Sequence, residues 1–153
     1  MVRLTDLDEP QRTHLATLPC PEFDSEPWVT GPPLKDRRVA IISTAALQRR
    51  DDSIMLQGAG DYRVIADDTP DGDLIMAHIS TNFDRSGYEQ DLNVVLPRDR
   101  LRELAAAGDI GSVRTYHYAF MGSTGPLDME DAAREMAGHL KADGVDSVLL
   151  LPV

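Results

Sequence analysis

The sequence predicts an α/β domain: a largely parallel sheet flanked by helices, in a Rossmann-like three-layer arrangement. Three observations predict it. Apolar runs of strand length recur from Arg38 onward, two later stretches carry helical periodicity, and a last apolar run follows directly on the second of these. Strands that alternate with helices form a parallel sheet covered on both faces, and its buried strands read as continuous apolar runs.

Residues 1–36 stand apart. They hold six of the ten prolines, Pro10, Pro19, Pro21, Pro27, Pro32 and Pro33. Proline fixes φ and lacks a donor, so this density keeps out helix and sheet interiors. The expectation is an extended, proline-rich N-terminal arm lying over a domain of residues 37–153, with Phe23 and Trp28 as anchors; a disordered arm is the alternative. Residues 38–44 form the first strand, an apolar run entered from charges. Residues 58–61 are a turn, 62–66 a second strand, 67–73 an acidic turn-rich loop and 74–78 a third apolar run.

Residues 97–107 read as a helix, with proline at the first turn, Leu101, Leu104 and Ala105 at helical spacing, and Gly108 just past the end. Residues 113–118 read as a strand. Residues 128–142 read as a second helix, in which Met129, Ala132, Ala133, Met136, Ala137 and Leu140 make one apolar stripe. Asp128 is placed to cap its start and Gly144 its end. Residues 145–151 follow as a strand expected to be buried on both faces; a simple edge strand ending the fold is the alternative.

Composition narrows the function. The chain has 153 residues, a formal charge of −11 and a pI near 4.6. One domain is expected at this length. Nothing supplies the cationic footprint that nucleic-acid phosphates or anionic lipid require. Cys20 is the single cysteine, so an internal disulfide and a multi-cysteine metal site are excluded. No basic n-region precedes an apolar segment, and the strongest apolar run, 148–153, is far short of the roughly 20 residues of a membrane span. The chain reads as cytoplasmic, with no nucleic acid, membrane or bound cofactor expected.

Several short motifs fail on inspection. Gly58-Ala59-Gly60-Asp61-Tyr62-Arg63 puts arginine where a dinucleotide loop needs its third glycine. Asp67-Asp68-Thr69-Pro70-Asp71-Gly72 opens like a calcium loop, but His78 stands where a bidentate glutamate belongs. No two of His14, His78, His117 and His139 make a metal pair at helical spacing. Cys20, between two prolines, has no local base. Ser43-Thr44 follows the first strand without a nucleophile elbow around it, which suits substrate binding or a capped turn.

The stretch from His78 onward carries the most information. His78-Ile79-Ser80-Thr81-Asn82-Phe83-Asp84-Arg85 is followed by Asp91-Leu92-Asn93-Val94-Val95-Leu96-Pro97, Gly108-Asp109-Ile110-Gly111-Ser112-Val113 and His117-Tyr118-Ala119-Phe120-Met121-Gly122. Leu140-Lys141-Ala142-Asp143-Gly144-Val145-Asp146 completes the series. This order of motifs, over residues 35–153, resembles the selenoprotein B family of glycine, sarcosine, betaine and D-proline reductases.

The resemblance implies reductive cleavage of a C–N bond beside a carboxylate, with a selenocysteine or cysteine nucleophile. It implies dithiol reducing equivalents from a thiol or selenol redox partner, and a pyruvoyl group on a partner subunit that holds the amine of a small amino-acid-like substrate. The family nucleophile directly follows a strand ending in Pro-Val, here Leu149-Leu150-Leu151-Pro152-Val153. The expectation is therefore a C-terminally truncated domain with no catalytic residue in residues 1–153, inactive as it stands, and a selenocysteine beyond Val153. Ser43, Thr44, His78, Asp84, Asn93, His117, Tyr118 and Gly122 are the substrate-binding candidates, with no metal ligands among them. A non-catalytic α/β binding or assembly module is the competing reading, and a homo-oligomer is open under both.

Overall fold

The computed structural model describes residues 3–80 and 85–153. Among these the strands are β1 (Arg38–Ser43), β2 (Leu47–Arg49), β3 (Tyr62–Ala66), β4 (Leu74–Met76), β5 (Ser112–Val113), β6 (Tyr116–Phe120) and β7 (Ser147–Leu151). The α-helices are α1 (Glu9–Ala16), α2 (Ser86–Gln90), α3 (Arg98–Ala107) and α4 (Glu130–Ala142).

β1 is the centre of the main sheet because Val39, Ala40 and Ile41 give it an apolar surface on both faces, all of it buried. β7 pairs with it in parallel along one side, from Val39↔Ser147 to Ser43↔Leu151. β5 and then β6 pair with it in parallel along the other. The register on that side moves from Arg38↔Ser112 to Ile42↔Tyr118, so Arg114 and Thr115 are extra residues bulged out of the ladder. β3 runs antiparallel to β6, from Tyr62↔Phe120 to Ala66↔Tyr116.

Two helices cover the two faces. α4 sets Met136 and Leu140 against Ala40, Tyr118 and Phe120, as its stripe requires. α3 brings Leu101 against a cluster that includes Val39, Ile41, Ile65 and Ala119. Gly108 ends α3 in the left-handed region at φ 80°. The result is the mixed α/β fold with a mostly parallel sheet that the sequence predicts. No helix among the described residues is long and apolar enough to cross a membrane.

Local details differ from the sequence reading. The run at 74–78 does not join the main sheet: β4 pairs antiparallel with β2, Leu47↔Met76 to Arg49↔Leu74. Ala46, at φ 50°, turns the chain out of β1 into this small second sheet; its N–H donates to Phe120 O and its carbonyl accepts the Ala77 N–H. β7 is an edge strand rather than a doubly buried one, with Val148 43% and Leu150 65% exposed. Asp128 lies inside a 3₁₀ turn, Pro126–Met129, that precedes α4, and it does not cap the helix.

The N-terminal segment contains a helix despite its prolines. Asp8 Oδ1 accepts the Gln11 N–H at 2.9 Å, and Pro10 sits in the first turn of α1, where a missing N–H costs nothing. Phe23 edges a shallow groove with Pro21, Pro126 and Met129. Trp28 is 88% exposed and anchors nothing.

Arg98 locks the sheet to α3. Its guanidinium is buried and donates to the carbonyls of Asp67, at 2.9 Å, and of Thr69, and to the Asp71 carboxylate. The loop after β3 is thereby folded around one cation. Arg98→Ala leaves those acceptors without their donor, and Arg98→Lys cannot reach them all from one ammonium. Chemical denaturation is expected to show a loss of about 3 kcal/mol for the alanine variant, with lysine recovering less than half of it.

Candidate functional site

The parallel strands of the main sheet end together, and in open α/β sheets ligands bind beyond such carboxyl ends. Here the segments following β1, β4, β6 and β7 meet. Ser43 is fully buried, and its Oγ accepts the Ala45 N–H at 3.2 Å, closing the turn that leaves β1. Thr44 holds the end of β7: its N–H donates to Leu151 O at 3.0 Å and its Oγ1 accepts the Val153 N–H at 2.8 Å. The same hydroxyl lies 3.4 Å from Val153 O.

Gly122 follows β6 at φ +79°. A Cβ there would stand 2.4 Å from Thr44 O, 3.0 Å from Thr44 Cβ and 3.1 Å from His78 Nε2. The position needs glycine for both its dihedral and its space, and through it Thr44 and His78 come together. His78 is 4% exposed. Its Nδ1 accepts the Ser80 N–H at 3.2 Å. Burial, and then the charge of Arg85, hold its pKa below the ordinary histidine value, so the ring is neutral at pH 7. With Nδ1 accepting, the ring proton belongs on Nε2, the nitrogen that faces Gly122. Arg85 donates to His78 O and, at 3.5 Å, to Ser80 O.

Four of the sequence-predicted residues, Ser43, Thr44, His78 and Gly122, thus form one cluster. Three lie elsewhere. Asn93 serves the start of α3: its Oδ1 accepts the Asp99 N–H at 3.1 Å and its Nδ2 donates to Asp91 Oδ1 at 2.9 Å. Tyr118 is buried under α4, edge-on to Tyr62. His117 is fully buried inside the sheet, its Nδ1 accepting the Ile41 N–H at 3.1 Å and its Nε2 bonded to Asp67 Oδ1 at 3.0 Å. Asp84 lies outside the described residues. The sequence reading passed over Arg85, although it closes the His78 motif, because Asp84 beside it makes it read as half of a local charge pair.

Among the described residues the cluster offers a hydroxyl, a neutral imidazole and a guanidinium around the end of a strand. Such a set favours an anion and can hold or move a proton at His78 Nε2.

Fold and site together define an α/β domain with an anion-favouring cluster at the carboxyl edge of its sheet. The chain belongs to the glycine/sarcosine/betaine reductase selenoprotein B family, whose model matches residues 13–152. It is 33% identical over 120 residues to the D-proline reductase subunit gamma of Acetoanaerobium sticklandii, covering 76% of this chain and 49% of that protein. It is 32% identical over 143 residues to the betaine reductase complex component B subunit beta of Peptoclostridium acidaminophilum, covering 87% of this chain and 32% of the relative. A glycine reductase complex component B subunit gamma from Carboxydothermus hydrogenoformans matches at 31% over 144 residues, with the same coverage of 87% and 32%. The chain therefore spans between a third and a half of these relatives. No solved structure matches it.

The scaffold histidine gives a pH test. Burial lowers the His117 pKa below 6.5, against the opposing pull of Asp67. The unfolded state therefore takes up a proton first as pH falls, so this group's contribution to stability is present above about pH 6.5 and is lost below it, toward the folded value. His117→Ala is expected to lower stability by about 2–3 kcal/mol at pH 7.5. The deficit should narrow in denaturation curves as pH falls below about 6.5. An unchanged deficit would mean that the folded and unfolded imidazoles take up the proton at the same pH.

Proposed function

We propose that this chain is part of a reductase component that cleaves a C–N bond at the carbon beside a carboxylate, through a selenocysteine or cysteine placed after Val153 in the natural protein. The observation that carries the reading is the Thr44 clamp. Its bonds to Leu151 and Val153 fix the end of β7 beside Gly122 and His78. A nucleophile attached there leaves the strand at the cluster, where Arg85 and the His78 Nε2–H favour its anionic form. Among the described residues the cluster supplies donors and a cation, which supports such a group there.

In the proposed reaction the new bond from selenium or sulfur to carbon forms as the C–N bond breaks, and the amine leaves with a proton. A dithiol partner then supplies two electrons, becomes a disulfide, and the carbon leaves selenium or sulfur with a proton, as an acid bearing hydrogen where nitrogen had been. A pyruvoyl group on a partner subunit would supply a carbonyl that holds the amine. The chain's own part is to position the nucleophile through Thr44, exclude water around buried His78 and hold its proton at Nε2. Names of the relatives as complex components support partner subunits, and a cytoplasmic, reducing setting suits the dithiol step.

A second reading has its own observation. Val148 and Leu150 present an exposed apolar face on the β7 edge, as a non-catalytic assembly module would. Coding DNA beyond Val153, and the mass and selenium content of the native protein, separate the two. The reductase reading expects an in-frame UGA or cysteine codon followed by an open frame, a chain heavier than 16.8 kDa, and no reductase activity from residues 1–153 alone. A UAA or UAG codon with a native mass of 16.8 kDa would overturn it in favour of the assembly module.

A further inference from the structure

We propose that Arg85 binds the substrate carboxylate, an assignment that rests on the reductase reading above. Its place comes first. The guanidinium is seated on the backbone of His78 and Ser80, and the His78 ring reaches Gly122 and Thr44, which holds Val153. Arg85 therefore belongs to the same cluster as the end of β7.

Its charge is also available. The chain carries 26 acidic against 15 basic residues, and most described arginines, Arg38 and Arg98 among them, are ion-paired. Among the described residues the partners of Arg85 are neutral carbonyls, and its side chain is exposed. Two of its five donors are used there, which leaves three. A carboxylate arriving at this edge meets a positive charge that, among the described residues, is held by neutral carbonyls. The charge is felt at the site, since it contributes to the lowered pKa of His78.

Substrate chemistry supplies the third argument. The relatives are named for D-proline, betaine and glycine. The nitrogens of these compounds differ: a ring secondary amine, a quaternary ammonium without an N–H, and a primary amine. Their common feature is a carboxylate on the carbon that bears nitrogen. One component architecture can serve all three only if it grips that shared end, and a guanidinium recognises a carboxylate by charge and directed donors together.

The test is an NMR titration of isotopically labelled chain, following the Gly122 amide and the His78 ring. The probes are glycine, betaine and D-proline, with choline as betaine lacking its carboxylate. At least one of the three acids should give saturable shifts in the unaltered chain, and choline should give none. R85Q should weaken that binding about tenfold or more, and R85K, which keeps the charge but loses the forked donors, should weaken it measurably but less. Thermal melts check that both variants remain folded, and R85K carries the test if R85Q does not. Unchanged affinity in folded R85Q, or equal binding of choline and betaine, would overturn the assignment and leave the reductase reading standing. No saturable shift with any of the three acids in the unaltered chain would overturn both.

Discussion

The fold depends on one unusual hydrogen bond, from the Ile41 N–H to His117 Nδ1 at 3.1 Å. β1 is buried on both faces, so each of its backbone groups must find a partner inside the protein. The two-residue bulge at Arg114 and Thr115 breaks the ladder beside Ile41, and the imidazole fills the gap. Its other nitrogen reaches Asp67, which Arg102 also binds at 2.9 Å, while Arg98 gathers the carbonyls that follow. One imidazole ring, using both its nitrogens, thus ties β1 to the end of β3 and, through two arginines, to α3. A neutral imidazole suits this role because it accepts with one nitrogen and donates with the other.

That network occupies the half of the sheet where β3 ends and β6 begins, and it leaves the opposite edge for chemistry. Rigid strands deliver their ends to one place, and short polar turns then meet. Ala46 at φ 50° and Gly122 at φ +79° are the two backbone irregularities there, and both bring chain segments closer than extended backbone allows. The positively charged and neutral groups of the edge contrast with a chain of net charge −11. The site draws its polarity from its own arrangement rather than from the protein's overall field.

The helices were legible in the sequence because periodicity and a terminal glycine agreed at both α3 and α4, with a proline at the start of α3. β1 and β3 were legible as bounded apolar runs. What escaped was set by tertiary partners. The run at 145–151 reads the same whether one face or two are covered, and only the absence of helix cover over Val148 and Leu150 decides it. His117 could be scaffold or ligand until the bulge beside Ile41 was seen. The bond between Thr44 and Val153 joins residues 109 apart, which no local pattern reports. Ser43, Thr44, His78 and Gly122 were found because they sit just beyond apolar runs, whereas Arg85 becomes notable only once its neutral partners are known.

The central claim is that Thr44 fixes the end of β7 at the site, and amide hydrogen exchange at Val153 tests it most directly. The account predicts a Val153 amide that exchanges at least about tenfold more slowly than an unstructured one. Protection should be lost in Thr44→Val, which deletes the hydroxyl at constant size, and kept in Thr44→Ser. Free exchange of Val153 in the unaltered chain, or equal protection in Thr44→Val, would contradict it.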